Sequence, residues 1–308
     1  MANPLTAMMA AGQPQADPGM NRVSAFMPPA PQQPQQPQMH PADQEYFNRI
    51  QTQYPQLVEE YAAHPESKGG RVINTDVARE MSQHYREDRT RSADIHEGAS
   101  SFMKKIYADR LSQPTPKGMD NTVVFSAGGT GAGKTTALDI LEKVDPALAK
   151  AEMIYDTNMN KFSSADKKIQ QALDAKRKVR IVYTYRDPAE ALENGALSRA
   201  HRMEKEKGSG RTVPIGEHLK THMGSRQVIE QLQKKYAKNK RVNIQIVDNS
   251  LGKGNARASQ LDKLPKLEEN EVKRRLYETL ERVRSSGIGG TERISDAIYR
   301  GTKGANAR

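Results

Sequence analysis

TVVFSAGGTGAGKTTALDILEKV, residues 122–144, decides the fold. Six mostly apolar residues (122–127) run straight into an eight-residue stretch, 128–135, in which four are glycine. Ala137, Leu138, Ile140 and Leu141 then recur at helical spacing. The pattern predicts a strand, a loop and a helix from Lys134 to about Val144 in direct succession. The loop satisfies G-x-x-x-x-G-K-[ST] through Gly128, Gly133, Lys134 and Thr135. Its glycines let the backbone curl around a phosphate, and the helix N-terminus adds partial positive charge. Lys134 is placed to neutralise the β- and γ-phosphates, and Thr135 to offer its hydroxyl to Mg²⁺. We therefore expect ATP with Mg²⁺ along Gly128, Gly129, Thr130, Gly131, Ala132, Gly133, Lys134, Thr135 and Thr136.

Outward from this loop the chain alternates. Short apolar runs at 71–74, 151–155, 179–185 and 242–248 read as strands. Helical spacing fills 93–111, 164–175, 188 to about 204, and 214–236, and Thr75-Asp76 is expected to cap a helix opening at Val77. The fold class is α/β, a P-loop NTPase-like, mainly parallel sheet with helices on both faces. Residues 1–41 differ: they hold nine of the 17 prolines, the run PQQPQQPQ, and only Asp17 and Arg22 as charges. Such a segment cannot bury enough apolar surface to offset its ordering entropy and reads as a disordered tail. Residues 42–66 read as two short helices divided at Pro55, 67–252 as the nucleotide domain, and 253–308 as a basic helical extension with helices at 264–284 and 291–299.

Composition narrows the chemistry. Among 308 residues there is no cysteine, which removes disulfides, iron–sulfur clusters and thiol nucleophiles and fits a cytoplasmic protein. Forty-eight Lys and Arg against 37 Asp and Glu leave a net charge of +11, suited to an anionic partner. Mean hydropathy is −0.83, and no stretch approaches the roughly 20 apolar residues of a membrane span. With no Trp and only 16 Phe and Tyr, base stacking has few participants. Nucleic acid is a possible partner but not a favoured one, and the tail's protein partner is unknown.

A phosphoryl-transfer site needs a carboxylate near the acceptor hydroxyl and extra positive charge. Asp76, Asp156, Asp187 and Asp248 follow predicted strands; Arg79, Arg186, Arg199, Arg202 and Arg211 are the candidate cations. Here the sequence resembles the zeta-toxin family, kinases that phosphorylate the sugar of UDP-N-acetylglucosamine, over roughly residues 70–250. Four blocks carry the resemblance: the phosphate loop, RVINTDVAREMSQHY (71–85), MIYDTN (153–158) and LSRAHRMEKEKGSGRTVPIGEHL (197–219). The resemblance implies Asp76 as catalytic base with Arg79 beside it, and Asp156 and Thr157 on the sugar. It also implies Arg199 and Arg211 gripping the triphosphate, followed by Pro214 and His218.

Two departures stand out. The Asp76 block precedes the phosphate loop, where the family has it afterwards, a permutation that a parallel sheet tolerates. Asp156 stands where the family usually has Glu. We expect the Asp76 strand to lie beside the phosphate-loop strand, and KEKGSG, between the two arginines, to act as a flexible lid. Asp248 ends its strand like a Walker B aspartate but reads as structural. The leading expectation is an ATP- and Mg²⁺-dependent kinase acting on a hydroxyl of a UDP-sugar. The alternatives are a nucleoside or nucleic-acid-end kinase, and a structural or delivered protein, working in a target-cell cytoplasm, with a nucleotide switch.

Overall fold

The computed structural model describes residues 39–304 except 253. The tail expected at 1–41 therefore lies outside the described residues up to 38. Helices α1 (Pro41–Thr52) and α2 (Tyr54–Ala63) come first, with a proline in the opening turn of each, as the division at Pro55 predicts. Strand β1 (Val72–Asn74) leads into the short α3 (Thr75–Arg79) and α4 (Gln83–Glu87). The cap of α3 is Asn74, whose side chain accepts from the Asp76 N–H at 2.7 Å, so Thr75 and Asp76 lie inside the helix rather than capping it. The earlier start matters: it releases the Asp76 carboxylate from capping.

Helix α5 (His96–Ser112) begins three residues later than expected. Its N-terminus is closed by the buried Asp43 of α1, which accepts from Gly98 N at 2.7 Å and Glu97 N at 3.3 Å. A side-chain cap of this kind contributes about 1 kcal/mol, and no local pattern announces one supplied from 54 residues away.

Strand β2 (Asp120–Ala127), helix α6 (Lys134–Val144), helix α7 (Pro146–Ala149), strand β3 (Ala151–Asp156), helix α8 (Phe162–Asp174) and strand β4 (Lys178–Tyr185) continue the alternation. The single helix expected from 188 is instead α9 (Pro188–Ala191), a π-helical turn over Leu192–Leu197, and α10 (Ser198–Lys207). Then follow α11 (Ile215–Tyr236), β5 (Val242–Asp248), the unexpected β6 (Arg257–Ser259), α12 (Glu269–Ser286) and α13 (Asp296–Lys303).

The six strands run β1-β3-β2-β4-β5-β6, all parallel except β6, which pairs antiparallel with β5. Strand β1 therefore lies at the sheet edge against β3, not beside the phosphate-loop strand: β3 takes that place. Residues 123–127 of β2 are buried throughout, because helices cover both faces, which is why the run reads as continuously apolar. On one face Val123, Phe125 and Tyr155 pack with α2, α5, α8 and α11. On the other, Val124, Ile154 and Val182 meet Ala137, Leu138 and Leu148. A further cluster joins Leu192 and Leu197 to Leu219 of α11 and to Leu276 and Leu280 of α12. The register pairs Asn74 with Asp156 and Tyr185 with Asp248, so the carboxyl ends of the parallel strands open on one side. Ligands of open α/β sheets sit at that side.

Candidate active site

The loop leaves β2 at Gly128 and enters α6 at Lys134, where the first N–H groups of the helix have no intrahelical partner. Close packing behind the loop fixes its path. Gly131 (φ +75°) and Gly195 of the π-helical turn meet back to back: a Cβ on Gly131 would stand 2.1 Å from the Ala191 carbonyl oxygen, and one on Gly195 2.4 Å from the Gly131 carbonyl oxygen. The π turn thus has a tertiary reason, the close contact of the backbone at Ala191 and Gly195 with that of Gly131.

Helix α11 and the end of β5 hold the loop from behind. His222 Nε2 donates to the Thr130 carbonyl at 2.9 Å, and Thr130 N donates to Thr221 Oγ1 at 3.1 Å. Asn249 Nδ2 donates to the Ala132 carbonyl at 2.8 Å. The main chain of Thr130 is therefore committed to α11, and Thr130 shapes the loop from behind. His218 Nε2 donates to the Pro188 carbonyl at 2.9 Å, its ring 4.6 Å from that of His222.

Both histidines are buried, and burial holds their pKa values down, His218 to about 4 and His222 well below the ordinary value. A histidine neutral when folded but ready to take a proton when unfolded destabilises the fold as pH falls below about 6.5. We expect stability to decline between pH 6.5 and 4 by up to about 1.4 kcal/mol per pH unit for each histidine. Denaturant unfolding at a series of pH values checks this. His222→Gln, whose amide still donates to Thr130, should lower the slope; an unchanged slope would show that the ring does not stay neutral.

In front of the loop, Lys134 Nζ donates to Asn158 Oδ1 at 2.8 Å and lies 3.4 and 3.5 Å from the carbonyl oxygens of Gly128 and Gly129. Desolvation lowers its pKa, the Asp156 carboxylate opposes that, and Arg199 adds to it. Thr135 is exposed in the first turn of α6.

The structure brings Asp76 to the same cleft. Arg79 Nη1 donates to Asp76 Oδ1 at 2.6 Å, Arg211 Nη1 pairs with Oδ2, and Arg199 Nη1 stands 3.9 Å from Oδ2. Burial alone would raise the Asp76 pKa, but Arg211, Arg79, Arg199 and Lys134 outweigh it and hold the carboxyl well below the usual range. Desolvation and mutual repulsion lower the pKa values of Arg79 and Arg199. Each of Arg79, Arg199 and Arg211 also keeps a buried Nε without a partner among the described residues. Three guanidiniums around one carboxylate leave surplus positive charge facing the phosphate loop.

The loop between the two arginines is tethered. Arg89 N donates to Ser209 Oγ at 3.0 Å, and Lys207 Nζ lies 3.4 Å from Glu80 Oε1, which Arg89 also pairs. Asp156 reaches the floor of the cleft at the end of β3. Its Oδ2 accepts from Asn74 Nδ2 at 3.0 Å and its Oδ1 from the Ser126 hydroxyl, so each oxygen keeps one lone pair. Thr157 Oγ1 accepts from Met159 N at 3.3 Å.

The remaining candidates go elsewhere. Asp187 caps α9 and pairs with Arg275 of α12, Asp248 holds Ser250 and Arg257, and Arg202 is exposed on α10. Arg186 lies 4.0 Å from Glu190, and Pro214 precedes α11. Asn158, Ser126, Asn74, His96 (2.7 Å from Arg79), Thr221, His222 and Asn249 were not singled out from sequence. Of these only Asn158 carried a signal, its place two residues beyond a strand-end carboxylate.

The family model described as zeta toxin matches residues 146–256. The chain resembles the zeta-toxin family. The matched stretch includes Asp156, Thr157, Arg199 and Arg211, while the phosphate loop and Asp76 lie ahead of it. At the level of class, this zeta-toxin-like chain is a P-loop, kinase-like protein. A solved structure from the PezAT chromosomal toxin-antitoxin system of Streptococcus pneumoniae is 14% identical over 58% of this chain and 96% of that one, with a TM-score of 0.31. That overlay is too loose to place a residue. No curated protein matches the zeta-toxin-like chain. Among the described residues no helix is long and apolar enough to cross a membrane.

Proposed function

We propose that the chain transfers the γ-phosphoryl group of MgATP to a hydroxyl of a UDP-sugar such as UDP-N-acetylglucosamine. One observation carries the reading. Asp76, Arg79, Arg199 and Arg211, drawn from two stretches more than 100 residues apart, close on one another in front of Lys134.

The residues fit the nucleotide. The glycine cradle, the free N–H groups at the start of α6 and the unpartnered guanidinium nitrogens all offer donors to phosphate oxygens. MgATP supplies the transferable group, with the metal offsetting charge between the β- and γ-phosphates. Thr135 would offer its hydroxyl to that metal, and Lys134 would hold the transferred group. Arg199 and Arg211 would neutralise charge spreading over its oxygens, and Arg79 would hold Asp76 in place. Asp76 would accept the hydroxyl proton of the acceptor.

Its low pKa is consistent with a loose transition state, in which orienting the hydroxyl matters more than removing its proton early. As Arg199 and Arg211 turn toward phosphate, the Asp76 carboxylate loses two of its cations and becomes a better base. Asp156, through its spare lone pairs, and Thr157 would hold acceptor hydroxyls.

ATP turnover measured alone, with a panel of UDP-sugars and with oligonucleotides tests the assignment. We expect one UDP-sugar to raise turnover by at least about 10²-fold, the size of a positioned acid–base contribution. Stimulation by oligonucleotides alone would move the activity to nucleic-acid ends. Nucleotide binding with no turnover on any acceptor would leave a switch.

A further inference from the structure

At the opposite end of the sheet, where β1 and β3 begin, lies a second cavity of about 580 Å³. Its walls are the C-terminal end of α5, helix α2 and the connection 113–119, with Tyr54, Val58, Ile106, Pro116 and Met153 giving apolar surface. The volume lies within the range of small-molecule pockets, roughly 300–1,000 Å³.

Most charges around it are satisfied. Lys68 pairs with Asp139 and Glu142 at 2.9 Å each, Arg71 with Glu142 at 2.9 Å, and Asp109 accepts from the Tyr54 hydroxyl at 2.5 Å. Two groups are not. Arg110 is half-buried and makes no side-chain hydrogen bond or ion pair among the described residues. Its guanidinium lies where a Cβ on Gly70 would come within 2.7 Å of Nη2, so the glycine (φ +78°) makes room for it. Glu152 has a side chain only 2% exposed; its Oε1 accepts from Arg177 Nε at 2.8 Å, while Oε2 is buried without a partner. A buried carboxylate oxygen left unpaired is costly and calls for a donor.

We propose that this cavity binds a small amphipathic anion: an apolar body bearing one carboxylate or sulfonate and one N–H or O–H donor. The anionic group meets Arg110, which has no ion-pair partner among the described residues. The donor completes Glu152 Oε2, and the body covers Tyr54, Ile106 and Met153. Glu152 is paired with Arg177 at 2.8 Å and Asp109 with Lys105 at 3.5 Å, which leaves Arg110 as the surplus charge, so the site as a whole favours a net charge of about −1. The proposal concerns a site separate from the nucleotide cleft and does not depend on the kinase reading.

Fluorescence titration of the full chain with anilinonaphthalenesulfonate tests it, since that dye carries apolar rings, a sulfonate and one N–H. We expect a single saturable site that excess MgATP does not displace. Arg110→Met should weaken it tenfold or more, the loss of one charge-assisted hydrogen bond. Val58→Trp, which fills the cavity from α2, should weaken it as much, with far-UV circular dichroism confirming the fold. If Arg110→Met does not fold, Val58→Trp decides alone. Displacement by MgATP, unchanged affinity in the folded variants, or no saturable binding would each overturn the proposal.

Discussion

Asp76→Asn is expected to bind MgATP at least as tightly as the native chain and to lose phosphoryl transfer by about 10²-fold or more. The side chain keeps its shape and its place in the first turn of α3, but the anion is gone. Arg79, Arg199 and Arg211 then face one another without the carboxylate that holds Arg79 at 2.6 Å and Arg199 at 3.9 Å. Removing the anion from this partly exposed cluster leaves three guanidiniums in mutual repulsion and lowers stability. A second signature follows. Phosphate oxygens can replace the lost carboxylate, so MgATP should raise the melting temperature of Asp76→Asn more than that of the native chain. Calorimetry, turnover and thermal unfolding together check this. Full activity in Asp76→Asn beside a dead Asp156→Asn would give the base to Asp156. If neither change mattered with any acceptor, the kinase proposal would fail.

Lys134→Ala should behave in the opposite way. Its ammonium is the one side-chain cation carried by the loop itself, held at 2.8 Å by Asn158 and turned toward the carbonyl oxygens of Gly128 and Gly129. Burial already disfavours its charge, so the alanine variant should be folded and no less stable. MgATP affinity should fall about tenfold to a hundredfold, the worth of one charge-assisted hydrogen bond. Transfer should fall by about 10³-fold or more, because the same contact stabilises charge on the moving group. Native affinity and normal turnover in the folded variant would sink the phosphate-loop reading. The contrast is the useful part: one variant separates catalysis from binding and the other removes both.

The stretch from β2 through α6 was legible because its signals are local. Glycines at the loop, β-branched residues before it and helical spacing after it lie within 23 residues, and α6 begins and ends where the pattern says. Asp76, Arg199 and Arg211 were also visible, as charged residues in quoted blocks. What stayed hidden depends on partners far along the chain. Nothing near Thr130 announces that Thr221 and His222, more than 90 residues later, will hold its main chain. Nothing near Leu192 announces a π turn, because its cause is the backbone of Gly131. Strand order was hidden too. A three-residue strand pairs equally well with any neighbour on local grounds, and β1 lies at the edge, with β3 between it and β2. Strand β6 has no apolar alternation of its own and exists through its pairing with β5.

The placement of β1 ahead of the phosphate loop has a consequence for how the molecule can be divided. Asp76 and Arg79 lie before the connection 113–119, and Lys134, Arg199 and Arg211 lie after it. A single cut in that connection passes between α5 and β2 without severing a helix or a strand. The first fragment then carries the carboxylate with an edge strand and its helices, and the second carries the phosphate cradle with the other five strands. Neither holds both halves of the chemistry. In a chain with the Asp76 block after the loop, no cut ahead of the loop would divide them so. This order of elements makes the protein a natural candidate for fragment complementation, in which phosphoryl transfer would report the meeting of two separately made pieces.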